Sequence, residues 1–168
     1  MKEKTRANVF KAFVGEAKAH FRLLAYAEKA AEEDVPQVAL LFQAIAEAER
    51  VHATRHMNLL KDIVVKDTDT NLENSFQREK SISENEYPDF LKEAEEEGET
   101  AAALAFSQAR DAEGYHAKLY EHAIMHLIRQ DVKSYYICQV CGYVTDIKIP
   151  SKCPVCGAPK EKFKTIGT

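Results

Sequence analysis

The segment "AEAERVHA", Ala46–Ala53, is answered by "DAEGYHA" at Asp111–Ala117. Each sets a Glu and a His three residues apart, one helical turn, where the surrounding pattern asks for Leu or Val. The stripe through the first runs Val38, Leu41/Phe42, Ile45, Glu49, His52, His56, Leu59/Leu60 and Ile63. Its spacing of three and four never breaks, so Glu49 and His52 share a helix face with Ile45 and Leu59. The second stripe runs Ala102, Phe106, Ala109, Glu113, His116, Tyr120, Ala123 and Leu127. Both stripes read as core faces interrupted by ionisable side chains.

Shifting Ala30–Ala53 by 64 residues lays it on Ala94–Ala117 with 10 of 24 positions identical, the Glu and the His among them. Such self-similarity marks a repeated structural unit. From about Thr5 to about Arg129 the chain is rich in Ala, Glu, Leu and Lys, with punctuation at "EEDVPQ" (Glu32–Gln37), "DTDTN" (Asp67–Asn71) and Gly98. The pattern predicts four helices of roughly 25–30 residues in two antiparallel hairpins. The middle connection reads as looser and suits the crossover of a ferritin-like four-helix bundle. Pro88 falls inside the third helix and predicts a kink, because it removes a backbone donor.

The remaining helices carry matching carboxylates. Helix one shows Val9, Phe13, Glu16, His20, Leu23 and Ala27; helix three shows Leu72, Phe76, Glu79, Ile82, Glu86 and Phe90. Glu16 lies 18 residues before Asp34 and Glu49 lies 15 after it. At ~1.5 Å per residue the two come to similar heights. Glu79 and Glu113 lie 19 before and 15 after Gly98, which gives the same match. Four Glu and two His thus converge on one layer, and buried without counter-charge they would cost more than a domain's net stability. Two divalent cations balance them, and mixed carboxylate and imidazole ligation suits iron or manganese. One Glu from each of two helices plus E-x-x-H from the others is the known pattern of ferritin-like di-iron and di-manganese proteins. Glu86 competes with Glu79, which is preferred because it mirrors Glu16. His20 and His56, one turn beyond proposed ligands, read as satisfied core histidines or as histidines that brace a ligand. Gly114, inside a helix beside the site, has no account at this level.

The character changes after Ser134, where Tyr, Ile, Val, Gly and Pro dominate. "CQVCGY" begins at Cys138 and "CPVCGAP" at Cys153. Two C-x-x-C-G knuckles, Cys138/Cys141 and Cys153/Cys156, supply four thiolates for one tetrahedral metal, iron or zinc. A module of under about 40 residues depends on that metal for stability. The division expected is a bundle over 1–132 and a cysteine module over 133–168. The 168 residues carry a net charge of -4 with 30% charged side chains, which gives no basic face for nucleic acid. No run approaches the ~18 apolar residues of a membrane span, and clustered C-x-x-C pairs suit a reducing compartment, so the chain reads as cytoplasmic.

In this combination the chain resembles the rubrerythrin family. "FVGEAKAHFR" is similar to the family's first ligand helix, and "AEAERVHA" and "DAEGYHA" to its two E-x-x-H helices. "YPDF" resembles a signature that follows the third-helix ligand by eight residues, which points to Glu79. "YICQVCGY" and "CPVCGAPKEKF" resemble its rubredoxin-like, iron-binding end. The resemblance implies a di-iron site on Glu16, Glu49, His52, Glu79, Glu113 and His116, a third iron on the four Cys, and Tyr87 as a hydrogen-bonding neighbour. It further implies reduction of hydrogen peroxide with electrons entering through the rubredoxin-like iron. The donor would be rubredoxin or an NAD(P)H-dependent reductase, and the assembly a homodimer or larger. Two positions depart from the family pattern. Ile82 stands where a seventh ligand Glu is usual, and Leu23 where a Tyr is usual. These keep two other readings open: a ferroxidase or dioxygen-reducing protein, and a metal-buffering bundle with a zinc-ribbon interaction module.

Overall fold

The computed structural model describes residues 1–125 and 134–167. Leu127, Arg129 and the expected boundary between 132 and 133 lie outside the described residues. The fold is mainly helical and packs as two compact units, Met1–Lys66 and Asp67–Thr168.

The first unit is a hairpin of α1 (Glu3–Glu32) and α2 (Pro36–Val64). The turn between them closes with paired bonds, Asp34 N–H to the Ala31 carbonyl at 3.2 Å and Val35 N–H to the Ala30 carbonyl at 3.0 Å. That is a Schellman closure, and it requires the left-handed conformation that Asp34 adopts at φ 56. Pro36 then opens α2, where its fixed φ suits the first turn and its missing N–H costs nothing. The seam between the helices is not the predicted stripe. Ala39, Ala46, Ala53 and Leu60, seven residues apart, are buried there with Ala27 and Ala30. Leu41 and Leu59 remain 58% exposed and Ile45 43% exposed. Small residues let the two backbones approach closely, so the alanine face wins the hairpin seam, and the stripe carrying Glu49 and His52 lies beside it.

The second unit begins with α3 (Thr68–Ser81), a π turn (Ile82–Glu86) and α4 (Tyr87–Glu96), which together form the predicted third helix. The middle connection is shorter than expected, because Asp67 caps α3 directly. Its carboxylate accepts from Thr70 N–H at 2.9 Å and from the Thr70 hydroxyl at 2.8 Å. "DTDTN" is therefore a helix start rather than a crossover. The predicted break at Pro88 takes the form of the π turn, where Tyr87 N–H reaches back five residues to the Ile82 carbonyl. The extra residue re-registers the backbone ahead of Pro88, which sits in the first turn of α4 and has no orphaned donor there.

A turn at Gly98 (φ 76) leads to α5 (Thr100–Ile124). It repeats the first hairpin's closure, with Gly98 N–H to the Glu95 carbonyl at 3.2 Å and Glu99 N–H to the Ala94 carbonyl at 2.8 Å. Position 98 is position 34 displaced by 64, so the sequence repeat extends to the turns. The cysteine module is a three-stranded antiparallel sheet of order β2-β1-β3, with β1 Ser134–Cys138, β2 Val144–Thr145 and β3 Phe163–Gly167. Its small core is Cys138, Tyr143 and Cys153 with Val155 and Phe163 packed against them. Among the described residues no helix is long and apolar enough to cross a membrane.

Candidate metal centres

Among the described residues three groups of potential ligands form: the six residues expected in one di-iron layer fall three in each unit, and the four Cys make the third group. In the first unit the donor atoms of Glu16, Glu49 and His52 all lie within 4.8 Å of one another. In the second unit Glu79, Glu113 and His116 do the same, as do the four Cys. Each E-x-x-H places its two donors together by helix geometry alone. His52 Nδ1 is 3.0 Å from a Glu49 oxygen and His116 Nδ1 is 2.8 Å from a Glu113 oxygen.

The second-unit group is charged like a site awaiting a cation. Burial, a hydrogen bond with Glu113 and the Glu113 charge push Glu79 up to about 7. Two carboxylates in contact cannot both ionise cheaply, and a divalent ion would remove that conflict. Glu86 does not join them. It forms a two-point ion pair with Arg78, with Arg78 Nη2 to Glu86 Oε2 at 3.3 Å and a second, closer contact between Nη1 and Oε1. The two are eight residues apart, and the π turn absorbs one of the eight, bringing them onto one helix face. This separates Glu86 from Glu79 on physical grounds that no α-helical spacing supplies.

Tyr87 stands beside the same group. Burial first, then the charges of Glu113, Glu79 and Glu86, hold its phenol above the usual tyrosine range. Phe90 and Phe106 fix its ring, with centroids at 6.0 and 6.2 Å. His20 is a satisfied histidine: its Nδ1–H donates to the Ala46 carbonyl at 2.7 Å and ties α1 to α2. His56 keeps a buried Nδ1 with no partner among the described residues. Nothing within 4 Å would meet a Cβ at Gly114, so packing in this chain does not require glycine there.

The four sulfurs fit one tetrahedral metal. Cys138 Sγ lies 3.7 Å from Cys156 Sγ, and Cys141 Sγ lies 3.6 Å from Cys153 Sγ. A metal bound at ~2.3 Å to four sulfurs would set those edges at about 3.8 Å. Burial raises the Cys141 and Cys156 thiols. Burial also opposes ionisation of Cys138, but the N–H groups of Val140 and Cys141 aimed at its sulfur outweigh that and lower it. Gly142 and Gly157, at φ 80 and 74, complete the two knuckles.

One contact was not legible in the sequence. His116 Nε2–H donates to the Gly142 carbonyl at 3.0 Å, one residue past Cys141. The adjacent Tyr115 packs edge-on against Tyr143 at 4.7 Å. Helix α5 and the cysteine module thus meet at the E-x-x-H motif itself. Only the glycine after each C-x-x-C hinted at exposed knuckle carbonyls, and nothing linked them to His116.

The rubrerythrin family model matches residues 8–124, and the model of the rubrerythrin rubredoxin-like domain matches residues 136–164. The chain is 33% identical to rubrerythrin-2 of Clostridium acetobutylicum, over 92% of each chain. It is 32% identical to nigerythrin of Nitratidesulfovibrio vulgaris, over 95% of this chain and 85% of that one. The structure of nigerythrin in a mixed-valent state superposes with a TM-score of 0.57 at 31% identity, over 96% of this chain and 86% of that one.

Proposed function

Since the chain belongs to the rubrerythrin family and carries its di-iron ligand groups and four-cysteine site, we propose that it reduces hydrogen peroxide to water in the cytoplasm, taking electrons through the rubredoxin-like iron. Glu16, Glu49 and His52 of the first unit and Glu79, Glu113 and His116 of the second would supply the ligands for the two irons, and Cys138, Cys141, Cys153 and Cys156 those for the third. When loaded, two ferrous ions supply the two electrons that cleave an O–O bond, and a tetrathiolate iron relays electrons singly with little change of shape.

The observation that carries the reading is the His116–Gly142 hydrogen bond. Donation from Nε2 fixes the tautomer and leaves Nδ1, the nitrogen facing Glu113, with its lone pair for a metal. The same imidazole therefore touches the knuckle backbone on one side and the carboxylate group on the other, a short through-bond route for electrons. Tyr87, a phenol protonated at neutral pH like any tyrosine and held further from ionisation by burial and the neighbouring carboxylates, keeps its hydroxyl as a donor beside them. A homo-oligomer is the working form, a reading supported by large apolar side chains left exposed on both hairpins, Phe21 at 72% and Leu104 at 60%.

The test is anaerobic stopped-flow mixing of the fully reduced, iron-loaded protein with hydrogen peroxide or with dioxygen. Oxidation should be faster with peroxide, and NAD(P)H with a reductase should sustain turnover. Faster oxidation by dioxygen would instead support the second reading, dioxygen reduction, which Ile82 favours by withholding a seventh carboxylate. In that case Ile82→Glu should move the preference back toward peroxide.

A further inference from the structure

The whole-chain charge of -4 hides a division. Residues 1–125 hold 24 acidic and 16 basic side chains, a formal -8, whereas residues 134–168 hold five Lys against Asp146 and Glu161, a formal +3. All five, Lys148, Lys152, Lys160, Lys162 and Lys164, are exposed. Among the described residues none of them forms an ion pair with Asp or Glu.

Three of these lysines lie on backbone segments joined to the cysteine knuckles. Lys152 precedes Cys153 and forms a β-bridge with Pro159, which puts it beside Lys160. The Lys162 carbonyl accepts from Gln139 N–H at 2.8 Å, which brings the Lys160–Lys162 turn against the first knuckle. The tip of that knuckle is Val140, 55% exposed between Cys138 and Cys141. The second knuckle differs, because Pro154 and Val155 line a cleft with Arg110, Tyr115 and Lys118 of α5. The two knuckles therefore have different surroundings. One is packed toward a helix, and the other offers an exposed apolar tip next to Gln139, whose N–H bonds the turn that carries Lys160 and Lys162.

We infer that Lys152, Lys160 and Lys162, together with the exposed Val140, form the docking surface for an acidic one-electron carrier protein. The inference rests on the cysteine module being the electron entry. Complementary charge steers diffusional encounter and fixes orientation, while an apolar tip a few bonds from the sulfurs gives close approach without a large buried area. A transient electron-transfer contact needs no more. One electron passes from the reduced carrier to the ferric module, the carrier is oxidised by one equivalent, and no atom or proton is exchanged.

The experiment uses the full-length, iron-loaded protein and a rubredoxin as the acidic carrier. The test variant is Lys152→Glu/Lys160→Glu/Lys162→Glu, and Lys152→Gln/Lys160→Gln/Lys162→Gln is a milder companion in case charge reversal disturbs the module. Ferric-thiolate absorbance checks loading. With both proteins oxidised, so that no electron flows, titration calorimetry at low salt should show binding that weakens at least tenfold in either variant. In stopped flow, the rate of module reduction by reduced rubredoxin should fall at least tenfold, and its dependence on ionic strength should flatten. The module's reduction potential should stay unchanged. Binding that ignores both variants, or a rate that is independent of salt in the unmutated protein, overturns the inference. Binding of a DNA duplex by the same lysines with no response to rubredoxin overturns it too, in favour of a nucleic-acid face. Calorimetric binding without electron delivery would leave the docking surface standing and count against the electron-entry reading alone.

Discussion

At the scale of single residues, Glu79 sets the pH behaviour of the metal-free protein. Its carboxyl is raised from 4.5 in the unfolded chain to about 7 in the fold, by burial and by Glu113. The folded state therefore binds the proton more tightly, so this contribution to stability is complete below about pH 4.5 and is lost as pH rises through 7. Thermal melts of metal-free protein should show a falling Tm between pH 5 and pH 8, and Glu79→Gln should flatten the slope. Added ferrous ion should reverse the trend, because a cation takes the place of the proton. Ile82→Glu tests the same balance from the other direction. A third carboxylate one turn from Glu79 should lower the metal-free Tm and tighten ferrous or manganous binding by about tenfold, roughly 1.4 kcal/mol, in anaerobic calorimetry. The ligand groups were legible because E-x-x-H survives the internal repeat and lies on an otherwise apolar stripe. The fate of Glu86 was not, because its pairing with Arg78 depends on a π turn that periodicity cannot foresee.

At the scale of elements, the two hairpins close with the same turn on unequal residues. Asp34 holds a left-handed conformation that glycine adopts freely at position 98. Asp34→Gly should therefore stabilise the first hairpin by about 0.5–1 kcal/mol, and Gly98→Ala should destabilise the second by about 1 kcal/mol or more. Denaturant titrations at fixed pH and metal content read both. Gly114→Ala fills open space in α5 and should raise stability by about 1 kcal/mol through helix propensity. A loss instead would show that another backbone approaches Gly114 in the assembled protein. Helix number and hairpin pairing followed directly from the 3.6-residue pattern and the breakers. The alanine seam did not, because periodicity ranks large apolar residues above Ala39, Ala46 and Ala53, whereas close helix contact selects small ones. "DTDTN" hides its role as a helix start for a related reason, since cap residues and loop residues share one composition.

At the scale of the whole molecule, charge and ligand chemistry are divided between an acidic helical part and a basic cysteine module. Filling the four-cysteine site with zinc should abolish turnover driven by an external donor while leaving a single oxidation of pre-reduced protein intact. Equal donor-driven turnover of the zinc and iron forms would remove the module from the electron route.

The bond from His116 to Gly142 has a thermodynamic consequence beside the electron route proposed for it. A metal on Nδ1 requires the proton to reside on Nε2, and that proton is the one shared with the knuckle carbonyl. Filling the carboxylate site thus strengthens the bond that docks the cysteine module on α5, and a well-formed knuckle presents His116 in the tautomer a metal needs. By reciprocity, whatever factor one loading event gives to the affinity of the other must be returned in full. The two sites should fill as a cooperative pair, and a cell short of iron would hold molecules that are mostly complete or mostly empty, with few half-loaded ones able to meet oxidant without a supply of electrons.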